Sequence, residues 1–146
     1  MSLELYLRNN WLRRHESSAE EIANLFAIAD RDIRESQTPG LGPEWRFDIA
    51  YNSMLQSANA ALAAAGYQAE RQNRHMRTIE CLAFTIGLNQ RQVGFFDACR
   101  RKRHTAVYDQ VGAISDQEAT ELIQSAVRLR QRVEDWIREK HPELLP

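Results

Sequence analysis

Apolar residues recur at steps of three and four along most of this 146-residue chain, and no stretch alternates for long in the two-residue step of a strand. That pattern commits the chain to helices that each bury one stripe against another helix. Ser17 or Ser18 opens the first long helix, with Glu20 and Glu21 at capping-box spacing. Its apolar face is Ile22, Leu25, Phe26, Ala29 and Ile33, and the segment from Gln37 to Pro43, with two prolines and two glycines, ends it. A second helix is predicted from about Pro43 to Ala65, with Phe47, Tyr51, Met54, Ala58, Ala61, Leu62 and Ala65 on one side. Pro43 suits a first helical turn and Gly66 a C-terminal stop. A third carries Met76, Ile79, Leu82, Ala83 and Ile86 and stops at Gly87. A fourth starts near Gly94, carries Phe95, Phe96, Cys99 and Val107, and ends around Asp109. The last opens on a second capping box, Ser115 with Glu118. It runs through Ala119, Leu122, Ile123, Ala126, Leu129, Val133, Trp136 and Ile137 before His141 and Pro142.

Short connections between such helices imply an all-α, up-and-down bundle of four to five helices. Residues 17–146 read as one domain and residues 1–16 as an N-terminal arm or short helix. The size suits a single core without staples, and 43% hydrophobic with 27% charged residues excludes a disordered tail protein. No apolar run approaches the roughly 18 residues of a membrane span. The N-terminus carries charges where a signal peptide has its apolar stretch, so a cytoplasmic protein without membrane partners is expected. Cys81 and Cys99 are then expected to stay reduced.

The net charge of −1 hides an asymmetry. Between Arg71 and Arg103 eight basic residues stand against Glu80 and Asp97, giving +6, so the remainder carries −7. A basic third in a near-neutral chain points to a local anion site, unless the charges are scattered over solvated helix faces.

The chemistry narrows by inventory. His15, His75, His104 and His141 all lack a glutamate three positions earlier, and there is no Cys-x-x-Cys, so neither a di-iron nor a zinc pattern is present and no metal or cofactor is expected. Neither cysteine has a histidine close in sequence, and Gly40-Leu41-Gly42 is too short for a phosphate-cradling loop. The fourth helix remains. At about 100° per residue, Arg103, His104, Val107 and Tyr108 share one side with Arg100, and Phe96 lies on that side too. An apolar stripe that passes into arginine either faces a groove or meets acids on neighbouring helices. Arg101 and Lys102 point elsewhere and read as solvated.

The run Arg-Arg-Lys-Arg-His-Thr-Ala-Val-Tyr-Asp, residues 100–109, resembles the signature helix of HEPN (higher eukaryotes and prokaryotes nucleotide-binding) domains. Trp45-Arg46-Phe47-Asp48-Ile49-Ala50-Tyr51-Asn52 opens a long second helix as in stand-alone bacterial members. Tyr67 after Gly66, His75 before an apolar helix, and Gly112-Ala113-Ile114-Ser115 leading into Glu118 and Glu121 are similar as well. The likeness spans about residues 17–142.

That resemblance implies a HEPN-like bundle that binds RNA or a nucleotide, and in many members a metal-independent endoribonuclease of toxin–antitoxin type. The family motif places an arginine and a polar residue ahead of a histidine. Here the arginine is Arg103, the polar residue His104, and the histidine position falls on Tyr108, a departure from the pattern. Cleavage without metal needs a proton acceptor for the ribose 2′-hydroxyl and donors for the phosphorane. Arg103 suits the second task, with Arg100 one turn earlier sharing it. Tyrosine, with a reference pKa near 10, is a poor base, which leaves Tyr108 to position a phosphate or stack on a base, and His104 as a substitute acid–base group.

The polar margin of the second helix, Asp48, Asn52 and Asn59, either lines the same groove against a ribose or base, or ties helices together; the second is expected of Asn59. His75 reads as a cap or core-edge residue, and Trp11, Trp45 and Trp136 as core or interface residues. The resemblance also implies a homodimer with the signature helices near its twofold axis, and an antitoxin or nucleotidyltransferase partner. A non-catalytic interaction or regulatory module that pairs with such a partner is the alternative.

Overall fold

Ser18 closes the free end of the first long helix: its hydroxyl accepts the Glu21 amide at 3.1 Å. In the computed structural model, which describes residues 1–108 and 112–146 and only the backbone at 106–108, that helix is α2, Ala19–Glu35. It follows α1 (Leu3–Arg8) and a short strand β1 (Leu12–Arg14). After it come α3 (Pro43–Ala64), β2 (Tyr67–Ala69), α4 (Arg74–Glu80), α5 (Gln90–Tyr108) and α6 (Asp116–Lys140). The described chain is mostly helical, with one two-stranded sheet, and no described helix is long and apolar enough to cross a membrane.

α3 is the central element. Its alanines Ala58, Ala60, Ala61, Ala63 and Ala64 are all buried, so it is enclosed around most of its circumference rather than along one stripe. Small side chains let neighbouring backbones approach, and α3 packs most extensively against α6 and α2. α6 contributes the buried row Ala119, Leu122, Ile123, Ala126, Leu129, Val133 and Ile137, and its Ser115–Glu118 capping box forms in both directions, at 3.1 and 3.0 Å. α2 contributes Ile22, Phe26 and Ala29, and also Asp32, only 5% exposed, which accepts from Asn52 of α3 at 2.7 Å.

Three elements depart from the sequence reading. α5 begins at Gln90 rather than near Gly94, because Asn89 and Gln92 satisfy one another: the Gln92 amide donates to Asn89 Oδ1 at 2.9 Å and the Asn89 amide to Gln92 Oε1 at 3.0 Å. α4 ends at Glu80 rather than running to Gly87, and tightens into a 3-10 turn over Cys81–Ala83. Leu82 in that turn and Ile86 and Leu88 after it are all buried. The third departure is the sheet.

Residues 1–16, expected as an arm or short helix, carry α1 and β1. β1 pairs antiparallel with β2, with Leu12 opposite Ala69 and Arg14 opposite Tyr67. Gly66, at φ +96°, makes the turn from α3 into β2 in a conformation costly for any residue with a Cβ. Tyr6, Leu12, Leu62, Tyr67, Ala69 and Cys81 form a second apolar cluster there. The N-terminal segment also grips α4: Arg77 lies 3.6 Å from the Trp11 ring centroid, and Glu80 accepts from both the Tyr6 hydroxyl and Arg77 at 3.1 Å. Trp45, by contrast, is 64% exposed and is not a core residue, while Trp136 packs half-buried against the core.

Candidate functional site

The segment from β2 into α4 and the middle of α5 face one another across an open pocket of about 470 Å³. α5 supplies Arg100, Arg103 and His104; the approach to α4 supplies Arg71 and Asn73; α4 supplies Arg74, His75 and Met76; and Tyr51 of α3 forms part of its wall. Among the described residues four arginines line it and no carboxylate does.

Two carboxylates stand just behind the lining. Arg103 Nε donates to Asp48 Oδ1 of α3 at 2.7 Å, and Arg100 Nε donates to Asp97 Oδ1, one turn back on α5, at 2.8 Å. Arg103 thus meets an acid of a neighbouring helix and Arg100 one of its own, and both side chains still line the groove. The Arg103 guanidinium also lies 5.5 Å from the Tyr51 ring centroid. Arg101 is exposed and shares Asp97, and Lys102 reaches Glu118 at the start of α6. The Lys102 ammonium, together with the Ser115 amide, holds the Glu118 carboxyl below its ordinary range.

Tyr51 and His75 meet at the pocket wall, with Tyr51 Oη 3.1 Å from His75 Nδ1. Burial pushes the Tyr51 phenol up to about 12, against the opposing pull of Arg103 and Arg100. His75 is displaced below its ordinary value, first by burial of its ring and then by Arg103, Arg100 and Arg74, so it is neutral at pH 7. Arg74 adds a further feature: its Nε is buried and has no hydrogen-bond partner among the described residues.

No protein-family model matches this chain, and no curated protein matches it.

Of the residues singled out in the sequence, Arg100, Arg103 and His104 come together in the pocket. Asp48 adjoins it through Arg103. Asn52 does not line it; it donates to Asp32 and accepts from Gln56, tying α3 to α2. Asn59 donates to Gln56 on its own helix. The Tyr108 side chain lies outside the described residues. His75, read as a cap or core-edge residue, lines the pocket, as do Tyr51, read as core, and Arg71 and Arg74, which appeared only in the charge count. The basic third of the chain was the signal for those arginines. Nothing local to Tyr51 or His75 announces their meeting.

Burial raises the Cys81 and Cys99 thiols to about 12, which keeps both as unreactive core groups. Among the described residues no cluster of histidine, cysteine and carboxylate side chains is arranged to hold a metal ion. A larger groove of about 630 Å³, between α5 and α6, is lined by Phe95, Phe96 and Leu129 together with Glu121 and Arg128, and it gathers none of the motif residues.

Proposed function

We propose that this protein is a HEPN-like RNA- or nucleotide-binding protein that takes a phosphate group into the pocket between α4 and α5. The observation that carries the reading is the lining: Arg71, Arg74, Arg100 and Arg103 converge, and Asp97 and Asp48, the acids that meet Arg100 and Arg103, are not among the lining residues. Guanidinium groups match phosphate oxygens in pairs and keep their charge at any working pH. The pocket is open, as a polymer threading through it requires.

Binding is tested by fluorescence anisotropy with a single-stranded RNA at low and moderate salt. Arg103→Ala is expected to weaken binding about tenfold or more, and affinity is expected to fall steeply with salt. Wild-type affinity in Arg103→Ala would take this pocket out of consideration.

His104 lines the same cavity as the arginines, and this supports a second reading, metal-independent RNA cleavage. Incubating RNA with wild type and His104→Ala in a chelator tests it; cleavage that survives the substitution removes His104 from the chemistry. The HEPN reading further implies a homodimer whose signature helices approach a twofold axis, which sedimentation at micromolar concentration examines. A protein that binds no RNA but captures a co-expressed nucleotidyltransferase or antitoxin would instead favour the interaction-module alternative.

A further inference from the structure

The four arginines of the pocket fall into two classes. Arg100 and Arg103 each spend a hydrogen bond on a carboxylate, Asp97 and Asp48. Arg71 and Arg74, on the opposite wall, have no carboxylate partner among the described residues. Arg74 is the sharper case, since its buried Nε–H has no acceptor among the described residues. An unsatisfied donor on a charged group costs free energy that a fold does not normally leave uncompensated. A guanidinium presents Nε–H and Nη–H as a fork matched to two oxygens of one phosphate, so a modest turn of this side chain into the cavity would satisfy the orphaned donor.

His75 stands beside it. Tyr51 retains its proton, so its hydroxyl donates to His75 Nδ1 across the 3.1 Å contact. A neutral imidazole that accepts at Nδ1 carries its one hydrogen on Nε2. Among the described residues that Nε2–H has no acceptor. The α4 wall therefore offers two unused donors in consecutive residues, in a cavity whose other wall already has its anions.

We propose that Arg74 and His75, with Arg71 at the rim, form the phosphate subsite of this pocket: the Arg74 fork and His75 Nε2–H donate to the oxygens of one phosphate, and Tyr51 sets the histidine tautomer. This rests on the RNA- or nucleotide-binding reading and names the wall that grips the ligand. Arg100 and Arg103 supply the surrounding positive field, reduced by Asp97 and Asp48. The ligand class is a phosphate ester, whether a free nucleotide or a phosphodiester in a strand.

The test titrates inorganic phosphate, a nucleoside 5′-monophosphate and a short single-stranded RNA into wild type, Arg74→Met and His75→Gln. Affinity is followed by NMR, and thermal melting is measured in phosphate-free buffer. Arg74→Met is expected to weaken inorganic phosphate at least tenfold while melting no lower than wild type, because it removes a buried donor that nothing among the described residues satisfies. His75→Gln is expected to weaken phosphate severalfold, and saturating phosphate to shift the His75 Nε2–H resonance of the wild type. Unchanged phosphate affinity in Arg74→Met, or an Nε2–H resonance indifferent to bound phosphate, overturns the subsite and leaves the pocket reading standing. Arg74→Met melting several degrees lower also overturns it, because Arg74 would then be a structural residue. Phosphate and nucleotide binding at these residues without RNA binding keeps the subsite and sinks the RNA half of the functional reading. A wild type that binds none of the three overturns both.

Discussion

Arg103 of α5 donates through Nε to Asp48 of α3 at 2.7 Å, an ion pair between residues 55 positions apart that fixes α5 against the central helix. Both side chains are about one-quarter to one-third exposed, so the pair is worth no more than about 1 kcal/mol to stability. Its larger effect is electrostatic, because Asp48 offsets the positive charge of an arginine that lines the pocket. Asp48→Asn is therefore expected to lower the melting temperature slightly and to strengthen phosphate binding about threefold to tenfold. Calorimetric titration of both proteins with phosphate checks this; weaker binding in the variant would mean that Asp48 positions Arg103 more than it neutralises it.

His75 links the site to pH. Its folded-state pKa lies below the ordinary value of 6.5, so as pH falls from neutrality the unfolded chain takes up this proton first. Its contribution to stability is complete above about pH 6.5 and is lost between there and the lower folded pKa. The melting temperature of wild type is expected to drop over that window by more than that of His75→Gln. Parallel curves for the two proteins between pH 7 and 5 would show that the ring is not held neutral.

The last helix tests whether capping and burial act independently of the site. Ser115→Ala removes one half of the capping box and is expected to cost on the order of 1 kcal/mol in chemical denaturation, with RNA affinity unchanged. Leu122→Ala, at a position with no exposure, is expected to cost roughly 2–5 kcal/mol. A cost near zero at Leu122 would contradict the packing of α6 on α3.

The N-terminal segment is expected to matter to the pocket as well as to stability. Leu12 is buried in the second apolar cluster, and Tyr6 and Trp11 hold Arg77 and Glu80 of α4, the helix that opens with Arg74 and His75. Leu12→Ala is expected to cost roughly 2–5 kcal/mol, and Trp11→Ala to weaken phosphate binding by loosening α4. Phosphate affinity unchanged in Trp11→Ala would show that α4 is held in place by the main core alone.

What the sequence by itself determined is the set of local features. The Ser18 and Ser115 caps, Pro43 opening α3, the buried row of α6, and Ile22, Phe26 and Ala29 of α2 follow from spacing within a few turns, where propensity, capping and periodicity act on neighbouring residues. Arg100, Arg103 and His104 were legible for the same reason, since one helix face carries all three. Only the tertiary structure decided the rest. β1 and β2 are three residues each, too short to show alternation, and they exist because the N-terminal segment folds back beside the end of α3. Tyr51 read as core from the helical period, and its ring is buried, but a period cannot say what lies at the tip of a buried ring. The pocket joins α3, the approach to α4, and α5, and the packing of those elements, not the spacing within any one of them, puts Tyr51 against His75 and leaves Arg74 Nε–H without an acceptor among the described residues.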